Sequence, residues 1–156
     1  MDDLNTINKD IYTISDLKKR LNILHLYFSK KIFGGPSTKL SGDELLWINS
    51  LPKSFLNQFD KNNCTQKLSR LGSKTNQFPY LTIYLPFETN DEAVKLIGSM
   101  VKQLFNSNLL LDIKYNPALL AGCALVWKGI YKDYSLKTRI EERRGEILES
   151  FKKFLR

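Results

Sequence analysis

Apolar residues in the first half of the chain recur at spacings of three and four. Ile14, Leu17, Leu21, Leu24 and Phe28 fall on one face of a helix. Ile23, Leu26 and Tyr27 widen that face, so the helix is expected to pack against several neighbours. Thr13 and Asp16 have capping-box spacing at its start, and Gly34-Gly35-Pro36-Ser37 is expected to stop it. Ser41-Gly42-Asp43-Glu44 is a second capping box, leading into Leu45, Leu46, Trp47, Ile48 and Leu51. Pro52 disturbs that helix or begins the next, which carries Phe55, Leu56 and Phe59. Gln66 to Leu71 adds a further short helix. The polar stretch Ser69 to Gln77 reads as a connection, with the linker placed at residues 73–79. The pattern therefore predicts a helical bundle of three to four helices over residues 1–72.

The period then switches. Tyr80 to Leu85 alternates, with Leu81, Ile83 and Leu85 on one side and Tyr80, Thr82 and Tyr84 on the other, which is a strand ended by Pro86. Thr89 and Glu92 have capping-box spacing, and Ala93, Leu96, Ile97, Met100, Val101, Leu104 and Phe105 follow the helical repeat to a stop at Asn106-Ser107-Asn108. Leu109 to Lys114 is a second strand, broken by Asn116-Pro117. Cys123 to Trp127 and Ile130-Tyr131 make a hairpin around Lys128-Gly129. One long helix is expected from Leu136 to about Leu155, with Leu136, Ile140, Ile147, Phe151 and Phe154 or Leu155 on its apolar side and Gly145 as a weak point. The order is β-α-β-β-β-α over residues 80–156, and the fold class is α+β.

Composition adds bounds. The chain has 156 residues, 42% of them hydrophobic and 26% charged, as in globular rather than disordered chains. No apolar run approaches the roughly 20 residues of a membrane span. The N-terminal MDDLNTINKD has neither a basic start nor an apolar core, so no signal or transit peptide is expected. Cys64 and Cys123 are far apart and show no zinc or disulfide spacing, which fits a reducing compartment; Cys123 is expected to be a small buried hydrophobe. The net charge of +8 suits nucleic acid, anionic lipid or an acidic partner, but the basic residues are scattered among acids on predicted helices.

Candidates for catalysis are few. His25 lies in an apolar helical stretch without a carboxylate or cysteine partner. Asp91-Glu92 and Glu141-Glu142 have helix-terminus or solvated-helix explanations. The Gly34-Gly35-Pro36 turn lacks the Lys-Ser/Thr ending of a phosphate loop. No catalytic residue, metal ligand, cofactor or small-molecule substrate is expected.

One stretch carries more. Asn116 to Ser135, NPALLAGCALVWKGIYKDYS, is a turn, an apolar segment, a small-residue pair, a hairpin and a helix start. It resembles the C-terminal signature of the delta subunit of F-type ATP synthases, called OSCP in mitochondria. That family writes the stretch roughly as D-P-S-L-I-G-G, a hydrophobic strand, G-D, a hydrophobic pair, then D-G-S. Asn116, Pro117, Leu119, Leu120, Gly122, Asp133 and Ser135 stand at matching spacings. Ala121 replaces the first glycine of the pair, Tyr134 replaces the glycine of Asp-Gly-Ser, and the hairpin glycine is displaced by one position to Gly129. The family has a six-helix N-terminal bundle, larger than residues 1–72 could build.

The resemblance implies a non-catalytic peripheral-stalk subunit. Its C-terminal module would grip the distal end of the b-type stalk helices, and its N-terminal helices would bind the alpha subunits. It would work at the cytoplasmic face of a bacterial inner membrane, with no nucleic acid as partner. Leu136, Ile140, Ile147, Phe151 and Phe154 would form the gripping surface, although Leu136 and Ile140 are expected to pack within the module. The residues themselves permit another reading, a small basic nucleic-acid-binding protein that stacks bases on Tyr80, Tyr84 and Trp127.

Overall fold

The computed structural model describes residues 3–34, 40–105 and 109–155. The expected helix stops at Gly35-Pro36-Ser37 and at Asn106-Ser107-Asn108 lie outside the described residues. The fold is mixed α/β, and the chain divides into two compact units, Met1–Phe78 and Pro79–Arg156.

The described part of the first unit is helical: α1 (Asp3–Ile7), α2 (Ile14–Phe33), α3 (Gly42–Ser50), α4 (Lys53–Leu56) and α5 (Cys64–Asn76). The Thr13 hydroxyl accepts from the Asp16 N–H at 3.1 Å and starts α2. Gly34 ends it in the left-handed region, φ 64°, returning its N–H to the last turn. Both halves of the Ser41–Glu44 capping box are formed. Pro52 begins α4. The core gathers Ile7, Ile11, Leu17, Leu24, Phe28 and Ile48, and Phe28 stacks on Phe59 with ring centroids 4.4 Å apart. Arg20 donates to the carbonyls of Ile7 and Lys9 and lies over the Trp47 ring, tying α1 and α3 to α2.

Two features of this unit differ from expectation. No helix was expected at the very start of the sequence, yet α1 buries Leu4 and Ile7. The segment read as linker is helical as far as Asn76. Cys64, Leu68, Leu71 and Thr75 are buried at helical spacing, and the Thr75 hydroxyl satisfies itself on the Leu71 carbonyl. A stripe of four buried positions outweighs a polar composition, because the polar residues occupy the outer face.

The second unit contains β1 (Tyr80–Leu85), α6 (Asp91–Leu104), β2 (Leu110–Tyr115), a 3-10 turn (Pro117–Leu119), β3 (Ala124–Trp127), β4 (Ile130–Asp133), α7 (Leu136–Glu142) and α8 (Arg144–Phe154). The sheet order is β2-β1-β3-β4. β1 and β2 run parallel, joined through α6, and the other pairs are antiparallel. Leu81, Ile83 and Leu85 meet Val101, Leu109 and Leu111 in the core, so α6 covers that side of the sheet. Asn90, not Thr89, caps α6, its side chain accepting from the Ala93 N–H at 2.9 Å. Lys128 and Gly129 both have positive φ, the tight turn that suits the twist of a two-residue hairpin. Cys123 lies just before β3 and is half-buried against the core.

The expected single C-terminal helix is two. It breaks at Arg143, which leaves helical geometry at φ −102° and ψ 12°, two residues before the suspected weak point at Gly145. Among the described residues no helix is long and apolar enough to cross a membrane.

Candidate partner-binding site

The residues from Asn116 to Ser135 form a clasp that fixes where the chain leaves the sheet. The Asn116 N–H bonds the Leu85 carbonyl at 2.7 Å, and its side chain accepts from the Ala118 N–H at 3.2 Å. Pro117 opens the 3-10 turn, and Leu119 is buried beneath it. Leu120 follows at φ 66° and ψ −54°, with the Ala121 N–H on the Leu119 carbonyl at 2.8 Å. This is a three-residue turn of the strained kind, uncommon for a side chain larger than glycine. Gly122 then runs at φ 81° against the chain entering α7. A Cβ here would stand 2.4 Å from the Tyr134 carbonyl oxygen and 3.2 Å from the Ser135 Cα, so the contact admits only glycine.

The other side of the clasp is the start of α7. The Tyr134 N–H bonds the Cys123 carbonyl at 2.9 Å, and the Leu136 N–H bonds the Ala121 carbonyl at 2.8 Å. Ser135 is fully buried and caps α7 by accepting from the Thr138 N–H. Asp133 accepts from the Ser135 N–H at 2.7 Å. Hydrogen bonds from Ser135, hydroxyl first and backbone second, hold the Asp133 carboxyl below its ordinary range. Tyr134 has no positive φ, so the glycine-to-tyrosine departure is absorbed without strain. All seven signature positions therefore gather at one junction. Leu120 turns outward, 62% exposed, and Pro117 and Gly122 are exposed beside it.

The clasp leads into a helical arm, α7 and α8. No residue of α7 or α8 is buried. Leu136 and Ile140, expected to pack within the unit, are exposed, because α7 touches the module mainly at the 3-10 turn. Ile147 and Phe151 are exposed too, and Phe154 is 87% exposed. Two shallow surface depressions continue one another along the arm. One is lined by Leu136, Ile140 and Ile147, the other by Ile147, Phe151 and Phe154. An 11-residue helix that buries no side chain falls below the roughly 12–15 residues at which isolated helices become even marginal in water. Such an arm needs a cover.

The aromatic residues considered for base stacking do not assemble as a set. Tyr80 and Tyr84 share one sheet face with Lys114 and Tyr131, whereas Trp127 points to the opposite, α6 side. Lys114 stands 5.9 Å from the Tyr84 ring centroid but is paired with Asp112 at 3.3 Å, and Asp133 lies on the same face. His25 is exposed. Among the described residues no group of three or more His, Cys, Asp and Glu could hold a metal.

Compared with models of known protein families and with curated protein sequences, the chain matches none.

Proposed function

We propose that this protein is a non-catalytic adaptor that grips a helical partner through α7 and α8, and that it serves as a peripheral-stalk subunit of an F-type ATP synthase. The observation that carries the reading is the clasp at Gly122 and Ser135 joined to an arm whose whole apolar side is open. A stator must hold its partner in a fixed direction under torque. A buried helix cap, a glycine-only contact and two cross-bonds at the root of the arm serve that need. Helix-against-helix contact along Leu136, Ile140, Ile147, Phe151 and Phe154 is the matching recognition mode. The b-type stalk helices are the partner on this side, and the helical first unit faces the alpha subunits. The β-α-β-β-β order ahead of the C-terminal helices and the helical first unit support reading the chain as a reduced form of the delta family. The protein then sits peripherally at the cytoplasmic face of a bacterial inner membrane and supports coupling of rotation to proton transport.

A photo-crosslinking amino acid at Phe151, introduced in cells, tests the assignment. The expected product joins this chain to the b-type stalk polypeptide, and the same probe at exposed Lys53 gives none. A Phe151 product with some other polypeptide and none with the stalk would overturn the reading.

The nucleic-acid reading keeps one observation in its favour, the grouping of Tyr80, Tyr84, Tyr131 and Lys114 on one sheet face. Asp112 and Asp133 on that face oppose phosphate, so it remains the second choice.

A further inference from the structure

The sheet of the second unit is covered unevenly. α6 joins β1 to β2 and packs on the face that carries Leu81, Ile83 and Leu111. β3 and β4 extend the same face beyond the helix, and the period of two puts Leu125, Trp127, Ile130 and Lys132 on it. Between them lies an apolar groove of about 380 Å³. The strands are its floor, Val101 and Phe105 at the end of α6 are one wall, and Ile130 and Lys132 on the edge strand β4 are its rim. Its size and apolar lining are those of a small-molecule site.

The charges at this groove are of one sign. Lys132 is the charged residue of the lining, and Lys128 stands at the hairpin turn with its ammonium 5.5 Å from the Trp127 ring centroid. Among the described residues neither lysine is paired with a carboxylate; the ion pairs there join Lys114 to Asp112 and Arg143 to Glu146. Asp133, the acid of β4, alternates to the opposite face. The ligand that complements this groove therefore has an apolar body and an anionic end. A recessed slot admits a single chain and keeps a flat bilayer surface off its floor.

We infer that this groove binds an unbranched fatty acid, its hydrocarbon chain along Ile83, Leu125 and Trp127 and its carboxylate at Lys132 and Lys128. Burial of the chain supplies the affinity, and the two ammonium groups select a carboxylate over a neutral head group. The groove is lined by no residue of α7 or α8, and the inference does not depend on the stator reading.

Titration of the full chain with decanoate, followed by Trp127 emission in a Trp47→Phe background, tests the inference. The emission should shift to shorter wavelength and saturate at one decanoate per chain. Affinity should rise about fourfold per methylene from octanoate to laurate, all kept below micelle-forming concentration. Lys132→Glu should weaken decanoate by about tenfold and decanol by less than about twofold, the sign that the ammonium holds the head group. Ile130→Asp should weaken both ligands. The two substitutions alter exposed positions, and circular dichroism checks that each variant remains folded. Decanoate that fails to saturate, or that binds without regard to either substitution, would overturn the inference. So would an emission shift given by vesicles of phosphatidylcholine with phosphatidylglycerol and not by decanoate, which would assign this face to a membrane surface.

Discussion

Gly122 and Gly129 have nearly the same backbone, φ 81° and φ 80°, but different surroundings. A Cβ on Gly129 meets nothing within 4 Å, whereas one on Gly122 meets the Tyr134 carbonyl oxygen at 2.4 Å. Alanine at either position carries the left-handed penalty, about 1–2 kcal/mol. At Gly122 the chain entering α7 must also move. That strains the Leu136-to-Ala121 and Tyr134-to-Cys123 hydrogen bonds, each contributing about 0.5–1.5 kcal/mol net. Gly122→Ala should therefore cost about 3 kcal/mol and Gly129→Ala about 1 kcal/mol. Urea denaturation followed by circular dichroism gives the totals. Amide hydrogen exchange adds the location: Leu136 and Tyr134 should lose protection in Gly122→Ala and keep it in Gly129→Ala. Equal losses in the two variants, with Leu136 still protected, would refute the claim that close approach at Gly122 anchors α7.

Three further outcomes follow from the same structure. Phe28→Ala removes a fully buried ring stacked on Phe59 and should cost about 3–5 kcal/mol, read as a lower urea midpoint of the helical unit. Asp133 has its folded pKa held below its unfolded value of about 3.9, so its contribution is complete above that pH and is lost as pH falls through the folded value. Asp133→Asn should accordingly lower stability at neutral pH and flatten the acid limb below about pH 4 in a circular-dichroism titration. Ile147→Asp and Phe151→Asp alter exposed positions and should change stability by less than about 0.5 kcal/mol while abolishing capture of the helical partner.

Local signals in the sequence specify an element where one physical cause dominates. Thr13 and Ser41 announce α2 and α3 because a cap hydroxyl satisfies a free N–H three residues on; both hydroxyl caps form, and Ser41–Glu44 also closes the reciprocal half, whereas the Asp16 carboxylate accepts from the Thr13 hydroxyl. Tyr80 to Leu85 is the strand its alternation predicts. Periodicity says less about which apolar residues find partners. Leu96, Met100 and Leu104 follow the helical repeat of α6 yet stay exposed, because a helix on one sheet face buries only the side that includes Ile97 and Val101. Leu136 and Ile140 misled for a different reason: α7 touches the module mainly at the 3-10 turn rather than lying along the sheet. The continuation of α5 through Asn76 was hidden by polar outer positions. The strained turn at Leu120 has no sequence signal, since nothing in a leucine asks for positive φ. At the clasp, the small-residue pair at Ala121-Gly122 and the helix start after Ser135 are legible in the sequence. Their meeting at one junction needed the strand register.

The most direct test of the adaptor account is a pull-down of tagged full-length protein from the native membrane fraction, with mass spectrometry of the retained chains. Wild-type protein should retain the alpha, beta and b-type subunits of an ATP synthase, and Phe151→Asp should lose the b-type chain first. Retention of nucleic-acid-associated proteins that vanish on nuclease treatment, with no ATP synthase subunit present, would contradict the account.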